Sequence, residues 1–214
     1  RFRWSSDSFK LSVKNFDGDY VINCIGAIPQ KTNKFEINYE LPMWLDDNAN
    51  CRIIHPATDC EMDDDNYGIS KRIAANKFKA GRHLSLHGRN TKQIVTSIIG
   101  HELETNFSLL DWFLSSDGEV FGWSEHYWNG NTTLEWAKQA YTMMTDWEKY
   151  AKRTVVSTNC ISKYELLTII KEVYNKDIII NEDDSVKANK CLNGQIKTTP
   201  IKEQLKELKV FYDN

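Results

Sequence analysis

Short apolar runs bounded by small or polar residues recur along the first half of the chain. The runs within residues 18–27, 52–55 and 93–99 end in Asn-Cys-Ile-Gly, Pro-Ala-Thr-Asp and Gly-His-Glu. Their length predicts buried strands, and the segment 67–78 between the second and third runs predicts a helix. Strand-helix-strand alternation is typical of an α/β fold, in which ligands collect at the carboxyl ends of the strands.

The second half of the chain is richer in helical patterns. Thr132 and Glu135 have capping-box spacing, and Ser162 and Glu165 repeat it, so a helix is expected to start at each place. Leu109, Leu110, Trp112 and Phe113 give an apolar face to a further helix, predicted over 103–116. The predicted elements are a helix over 103–116, a strand over Glu119–Trp123, a helix over 132–144, a helix from Ser162 and a last helix from Pro200.

Composition bounds the class of protein. The chain has 214 residues, of which 41% are hydrophobic and 12% aromatic, enough for a core in one domain or in one domain with a small lobe. Lysine and arginine total 27 against 30 acidic residues, a formal net charge of −3, which weighs against nucleic acid as the main partner. No apolar run approaches the ~20 residues of a membrane span, so no membrane partner is expected.

The five cysteines are Cys24, Cys51, Cys60, Cys160 and Cys191. They are scattered, and no two of them have the C-x-x-C spacing that is typical of a metal or redox site. We therefore expect reduced thiols in a cytoplasmic protein.

Tyr67 and Lys71 are the strongest chemical candidates. They stand at i and i+4 on the predicted helix, so the phenol and the ammonium share one face. A nearby cation favours phenolate and lowers the pKa of a tyrosine, which suits proton transfer near neutrality. Any lysine-rich helix can show this spacing, and a solvated helix face is the alternative interpretation.

Taken together, the order and wording of these segments resemble the extended branch of the short-chain dehydrogenase/reductase superfamily. The closest likeness is to sugar-nucleotide reductases of the dTDP-4-dehydrorhamnose reductase type and to related epimerases and dehydratases. It runs from about Asp19 to the C-terminus. The resemblance implies a Rossmann-like doubly wound parallel sheet with a smaller C-terminal substrate lobe. Residues 1–100 would be a partial NAD(P)-binding domain, and 101–214 mainly the lobe, with some segments returning to the first domain.

The same resemblance implies roles for particular residues. Tyr67 would protonate the substrate carbonyl oxygen, Lys71 would tune Tyr67 and bind the nicotinamide ribose, and Thr58 would hydrogen-bond the reacting oxygen. The implied cofactor is NAD or NADP, held by Asn23, Cys24, Ile25, Gly26, Tyr67, Lys71, Ser97 and Ile98. The implied substrate residues are Asp59, Cys60, Gly100, His101, Trp128, Asn129 and Thr132.

Two departures from the family pattern matter. None of the ten glycines precedes Gly18, and no later pair forms a phosphate-binding turn after a strand, so we expect the first part of the nucleotide-binding half to be absent from this sequence. Only residues 59–66 separate Thr58 from Tyr67, which looks too short for both to face one pocket. The preferred explanation is that segments have been lost there, with a spatial break near Cys60. The alternative is a truncated, cofactor-free relative.

The expected function is NAD(P)-dependent reduction of a keto group in a nucleotide-linked 4-keto-6-deoxy sugar. An epimerase or dehydratase with the same triad is the alternative within the fold, and a non-catalytic nucleotide-binding or partner-binding subunit is the alternative outside enzymes. Self-association into a homodimer is compatible with the resemblance. No metal is expected: His83 and His87 stand at i and i+4 but lack a third ligand, and Asp63–Asp65 reads as a solvated loop.

Overall fold

A computed structural model of the chain describes residues 3–80 and 90–213. The chain divides into two compact units. The first comprises the residues up to Val95 together with Thr142–Thr154, and the second comprises Thr96–Tyr141 and the residues from Val155 onward.

The described residues form seven α-helices, twelve strands and two short 3₁₀ turns. The helices are α1 Asp7–Lys14, α2 Ile37–Asn48, α3 Asn66–Ala80, α4 Leu109–Ser115, α5 Thr133–Thr145, α6 Lys163–Tyr174 and α7 Ile201–Asp213. The strands are β1 Tyr20–Ile22, β2 Arg52–Ala57, β3 Thr91–Val95, β4 Ile98–Ile99, β5 Glu119–Trp123, β6 His126–Trp128, β7 Asn131–Thr132, β8 Arg153–Ser157, β9 Ile161–Ser162, β10 Ile179–Asp183, β11 Ala188–Asn189 and β12 Ile196–Lys197. The 3₁₀ turns are Asp59–Met62 and Trp147–Lys149.

A parallel sheet forms the centre of the first unit. β1 pairs with β2 and β2 pairs with β3, both in parallel, with Val21 opposite Ile53 and Pro56 opposite Ile94. The start of β8 lies next to β3, where the amide of Gln93 donates to the Lys152 carbonyl. The parallel sheet that the resemblance implies is therefore confirmed for the three apolar runs. Since parallel strands share one carboxyl edge, the residues that follow β1 and β2 emerge at the same edge of the sheet.

Helix α2 covers one side of this sheet, although the sequence did not predict it. Leu41 and Leu45 are 0% and 2% exposed and pack with Ile53 of β2. Pro42 lies inside the helix, where it removes one backbone hydrogen bond, so its presence argued against a helix here. Burial of the leucine pair outweighs that cost, since each buried leucine contributes about 1.5–3 kcal/mol.

The helices of the second unit follow the sequence pattern closely. The Ser162 side chain accepts from the amide of Glu165 while the Glu165 carboxylate accepts from the amide of Ser162, so the predicted capping box is present at α6. The unit's apolar core gathers residues that are fully buried on α4, α6 and α7: Leu110, Phe113, Leu166, Ile170, Ile201 and Leu205. The remaining strand pairs are β8 with β12, β10 with β5 and β4 with β7, all parallel, and the three strands β11, β6 and β9.

Two predicted elements are shorter than expected. The run 93–99 is two strands, interrupted at Ser97, whose carbonyl accepts from the amide of Asn131. Helix α4 begins only after Ser108, its N-cap, and not at Leu103. The segment before it is held as a turn because the Glu102 carboxylate accepts from the amides of Phe107 and Ser108. These local hydrogen bonds compete with the helix and delay its start.

The cysteine prediction was wrong for two of the five residues. Cys160 and Cys191 form a disulfide across a sequence separation of 31, in a part of the second unit where the β11–β12 loop meets the start of β9. Such a pair has no short-range spacing to reveal it, because only the fold brings the two residues together. Cys24, Cys51 and Cys60 take no part in a disulfide. Within the described residues, no helix is long and apolar enough to cross a membrane.

Candidate active site

The link between Thr58 and Tyr67 is a continuous, compact turn. Residues Asp59–Met62 form a 3₁₀ turn that Thr58 caps, its hydroxyl oxygen accepting from the amide of Cys60 at 3.2 Å. The same hydroxyl donates to the Asp59 carboxylate at 2.9 Å. The expectation of a break near Cys60 was therefore wrong, and Thr58 and Asp59 are ordered together at the carboxyl end of β2.

Gly68 explains why so short a link is sufficient. A Cβ on this residue would lie 2.5 Å from the carbonyl oxygens of both Cys60 and Asp63, closer than real Cβ contacts allow. The first turn of α3 thus rests directly on the 3₁₀ turn, and the amide of Gly68 donates to the Asp65 carboxylate at 2.6 Å. Because the two backbones touch, Tyr67 starts its helix beside the end of β2. This contact explains why the segment between Thr58 and Tyr67, which looked too short from the sequence, is long enough.

Tyr67 and Lys71 share one face of α3, as their spacing predicted. The Lys71 Nζ lies 5.5 Å from the centroid of the Tyr67 ring, over its face, and Phe35 packs edge-on against the ring at 5.7 Å. Burial raises the pKa of Tyr67 above its usual 10, and the negative groups at Cys60, Asp59 and Asp65 raise it further. The sequence had predicted a lowered pKa. Lys71 lies over the ring face, and because burial of the phenol raises its pKa, Tyr67 keeps its proton.

Lys71 is a half-buried cation with donors to spare. Its Nζ lies 3.5 Å from the position that a Cβ on Gly26 would occupy, so it reaches the loop that follows β1. Within residues 3–80 and 90–213 its ammonium makes no hydrogen bond or ion pair, although burial lowers its pKa. A buried ammonium without acceptors is costly, and ligand oxygens are its natural partners. A ribose or a carbonyl oxygen could satisfy it.

Asn38 is a residue of the site that the sequence did not single out. Its side chain is 1% exposed and bonds both backbone groups of Ala27, accepting from the amide at 2.8 Å and donating to the carbonyl at 3.0 Å. It also donates to the Ser70 hydroxyl on α3 at 3.0 Å. Asn38 thereby fixes the loop after β1 to the helix that carries Tyr67 and Lys71. A lone asparagine in a polar stretch gives no sequence clue to such a role.

His55 and Asn23 form a second polar contact under the site. Asn23 is 3% exposed, and its Nδ2 lies 3.1 Å from Nδ1 of His55, which is equally buried on β2. Burial lowers the pKa of His55 to about 3, and the positive charges of Lys71 and Arg153 lower it further. The imidazole is therefore neutral, with Nδ1 accepting from the Asn23 amide. Sequence reasoning assigned Asn23 to the cofactor and did not consider His55.

The rest of the loop after β1 is more open. Cys24 is exposed and Ile25 is 47% exposed, while the amide of Ile25 donates to Asn23 Oδ1 at 3.1 Å. Gly26 stands between Asn38 and Lys71. The structure therefore brings Gly26 of this loop next to Lys71, and the role of the predicted loop residues in cofactor binding stays a prediction.

Four predicted residues follow β3 and belong to the second unit. Ser97 lies at the strand interruption and Ile98 is 53% exposed. Gly100 packs so closely on Thr133 that it has no space for a side chain. His101 uses both ring nitrogens within this unit, with Nδ1 2.7 Å from an Asp111 carboxylate oxygen and Nε2 3.0 Å from the Tyr174 hydroxyl. Their contact with cofactor or substrate stays a prediction.

Trp128, Asn129 and Thr132 are 3%, 3% and 0% exposed in the second unit. The Asn129 amide donates to the carbonyl of Leu192 and accepts from its amide, both at 2.8 Å, and the Thr132 hydroxyl accepts from the amide of Glu135 at the start of α5. These hydrogen bonds hold the unit's own backbone. The assignment of the three residues to substrate binding stays a prediction.

The fit to a nicotinamide cofactor is uneven along the molecule. The free N–H donors of Lys71 beside Gly26 suit the hydroxyls of a ribose. A Gly-rich turn that would receive a pyrophosphate is not found among residues 3–80 and 90–213. Within the same residues no cluster of three metal-ligating side chains occurs. His83 and His87 lie outside the described part of the chain.

The chain is similar to known proteins in structure but not in sequence. No protein-family model matches the chain, and no curated protein matches it by sequence. Solved structures do match. A dTDP-4-dehydrorhamnose reductase from Bacillus anthracis, in complex with NADP, has a TM-score of 0.72 at 12% identity, covering 94% of this chain and 84% of its own. A dTDP-4-dehydrorhamnose reductase from Clostridium acetobutylicum has a TM-score of 0.71 at 18% identity, covering 96% and 85%.

A third match widens the group. A dTDP-glucose 4,6-dehydratase from Bacillus anthracis, in complex with NAD, has a TM-score of 0.68 at 12% identity, covering 97% of this chain and 76% of its own. The chain therefore has the Rossmann-like α/β fold that these sugar-nucleotide enzymes share, as the sequence predicted. At such low identity the likeness establishes the fold, and the activity rests on the site.

Proposed function

We propose that this protein is an NAD(P)-dependent reductase of a keto group in a nucleotide-linked sugar. One observation carries the proposal. Gly68 contacts the backbone of Cys60 and Asp63, which brings the start of the helix that carries Tyr67 and Lys71 against the turn that Thr58 caps, and the Lys71 ammonium makes no hydrogen bond within the described residues. A proton donor, a second hydroxyl and a cation are the groups that carbonyl reduction requires.

The side chains divide the work of the reaction. When bound, a nicotinamide cofactor would supply a hydride to the carbonyl carbon. Tyr67 gives its phenolic proton to the carbonyl oxygen, and its raised pKa keeps that proton in place at neutral pH. The Thr58 hydroxyl orients the same oxygen, and the Asp59 carboxylate fixes that hydroxyl at 2.9 Å. Lys71 holds ribose hydroxyls and steadies negative charge on the phenolate that proton transfer leaves behind.

The substrate and cofactor are inferred from the structural neighbours. Several similar structures are dTDP-4-dehydrorhamnose reductases, one of them with NADP, so we infer a 4-keto-6-deoxy sugar nucleotide as substrate and NADP or NAD as cofactor. An epimerase and a dehydratase share the fold and are the alternative within enzymes. We place the reaction in the cytoplasm, where these cofactors and nucleotide sugars would be available.

A non-catalytic subunit that binds a partner or a nucleotide without turnover is the second candidate. It is favoured by one observation, namely that no Gly-rich phosphate turn occurs within residues 3–80 and 90–213. Measuring dinucleotide binding separates the two candidates directly. If calorimetry with NADPH and NADH detects no binding, the reductase proposal fails and the second candidate replaces it.

The decisive variant is Tyr67→Phe, which keeps the ring and its packing on Phe35 but removes the transferable proton. Oxidation of NADPH with a dTDP-linked 4-keto-6-deoxy sugar should slow by a factor of about 10² to 10⁴, because general acid catalysis contributes that much. Tyr39→Phe is the matched control, since it removes a phenol from α2 of the same unit, and its turnover should equal that of the wild type. Unchanged turnover in Tyr67→Phe would refute the mechanism.

Two further variants separate binding from chemistry. Lys71→Met should weaken cofactor affinity as well as turnover, because the ammonium is assigned to ribose and to the phenolate. Thr58→Val should lower turnover with little effect on cofactor affinity, because its partner is the reacting oxygen. The reverse pattern, with Thr58→Val weakening the cofactor and Lys71→Met leaving it unchanged, would exchange the two assignments.

A further inference from the structure

The second unit contains a groove of about 720 Å³ that the proposed reaction does not use. Its walls come from the end of α4, the strand β5 and the start of α6. This volume lies within the ~300–1,000 Å³ typical of small-molecule sites. The side chains that matter for its chemistry are Trp112, Asp117, Glu119, Phe121, Trp123 and Lys163. We call it the β5 groove.

Three aromatic side chains give the β5 groove an apolar wall. Phe121 and Trp123 are two residues apart on β5, so both point to the exposed face, whereas Val120 between Glu119 and Phe121 is 7% exposed. Phe121 is 61% exposed, and Trp112 of α4 is 41% exposed. Single exposed aromatic residues are ordinary, but three around one concave surface are the usual sign of a binding site.

Trp123 is held in place before any ligand arrives. The His126 ring stacks on one of its faces, with centroids 5.2 Å apart and planes within 10°. Hydrogen bonds from Ser185 lower the pKa of Asp183, and the Trp123 indole N–H contributes as a further hydrogen-bond donor to that acid. With one face covered and the indole N–H engaged, the ring is fixed. A fixed ring loses little conformational freedom on binding a ligand.

The charged groups of the β5 groove select the class of ligand. Asp117 and Glu119 place two carboxylates in its lining, and each is oriented by a neighbour: Asp117 by Lys176 at 3.3 Å, and Glu119 by the Asn181 amide at 2.7 Å. The Lys163 ammonium lies over the Trp128 ring, 5.0 Å from its centroid. Asp117 and Glu119 accept hydrogen bonds from hydroxyls, and the positive charges of Lys163 and Lys176 offset the two negative charges, so the groove has no excess charge to attract an ionic ligand.

We propose that the β5 groove binds a neutral carbohydrate. The C–H faces of a pyranose ring would lie on Trp112, Phe121 or Trp123, while its hydroxyls donate to Asp117 and Glu119. Apolar rings beside oriented carboxylates match the two faces of a neutral sugar, one apolar and one rich in donors. All the groove residues belong to the second unit, whereas Tyr67 and Lys71 belong to the first. None of the groove residues is among those assigned to cofactor, substrate or catalysis, so this proposal does not rest on the reductase proposal.

The test uses the full chain and saturation-transfer NMR with three neutral trisaccharides: cellotriose, maltotriose and chitotriose. At least one should bind with a dissociation constant of about 1 mM or tighter, as expected for a small open site. Phe121→Ala should weaken that binding by about fivefold or more, because it removes an exposed stacking face. Glu119→Gln should weaken it as well. Tyr141→Ala is the matched control, since this aromatic is 65% exposed on α5 and lies outside the groove.

Three results would overturn the proposal. They are no saturation transfer from any trisaccharide at 10 mM, equal binding by wild type and Phe121→Ala, or tighter binding of glucuronic acid or of a nucleotide that Phe121→Ala abolishes. The folding of each variant is checked by circular dichroism, and Phe121 is exposed enough to be truncated without a cavity. Binding of NADPH should be the same in Phe121→Ala and wild type, so failure of this proposal and failure of the reductase proposal are distinguished.

Discussion

His55 should make the folded protein lose stability as the pH falls below about 6.5. Its ordinary pKa of 6.5 is lowered to about 3 in the folded chain, first by burial and then by Lys71 and Arg153. Between these two values the unfolded chain binds a proton that the folded chain does not bind. The stability that depends on neutral His55 is therefore complete above pH 6.5 and is lost as the pH falls toward 3.

The size of the effect follows from the difference between the two pKa values. Each pH unit within this window corresponds to about 1.4 kcal/mol, so the free energy of unfolding should fall by about 2 kcal/mol between pH 7 and pH 5 from this residue alone. Protonation would also turn Nδ1 into a donor facing the Asn23 amide, at present 3.1 Å away, and so remove that hydrogen bond.

Urea denaturation at pH 7 and pH 5 measures the effect in wild type and in His55→Gln. The variant cannot titrate at this position, so the stability difference between the two proteins should shrink by about 2 kcal/mol at pH 5. Ile54→Val, a neighbouring β2 residue that is 0% exposed, is the control. It should cost about 0.5–1.5 kcal/mol equally at both pH values. Parallel pH dependence of wild type and His55→Gln would refute the reasoning.

Two further perturbations test the fold around the proposed sites. Gly68→Ala should destabilise the protein by about 1–3 kcal/mol and lower turnover, because the new Cβ would overlap the backbone oxygens of Cys60 and Asp63. Urea denaturation that matches wild type would show that α3 does not rest on the 3₁₀ turn. Cys160→Ser, or reduction by dithiothreitol, should lower the free energy of unfolding by about 3–4 kcal/mol, because the bond closes a loop with a sequence separation of 31. Cys51→Ser serves as the control for losing a thiol. A free Cys191 thiol detected in the untreated protein would contradict the disulfide.

The sequence predicted the fold well where the signal was local. The buried strands of the first half, the capping box of Ser162 and Glu165, and the strand Glu119–Trp123 follow from patterns within a few residues, whereas the parallel sheet was implied by the family resemblance. Helix α2 escaped prediction because Pro42 is a local signal against a helix, and the stabilising burial of Leu41 comes from distant strands. The disulfide escaped for the same reason, since its two cysteines are brought together only by the fold.

Within the proposed active site, side-chain spacing predicted which residues share a face, but not what surrounds them. Tyr67 and Lys71 were placed correctly on one helix face, yet the direction of the pKa shift of Tyr67 was wrong. That direction depends on burial and on the acids of a turn whose conformation the sequence did not reveal. No pattern in the sequence distinguishes His55 and Asn38, and only their burial beside the site shows that they matter.

The last segment of the first unit is synthesised late. Residues Thr142–Thr154 return to it after the chain has passed through part of the second unit. Lys92, which is 7% exposed, donates to the carbonyls of Trp147 and Tyr150, and Arg153 pairs with the buried Glu61. During synthesis on the ribosome, an amine and a carboxylate destined for burial must therefore stay hydrated until about Arg153 has left the exit tunnel. We expect the emerging chain to remain open and sensitive to proteases up to that length, and to become resistant abruptly afterwards.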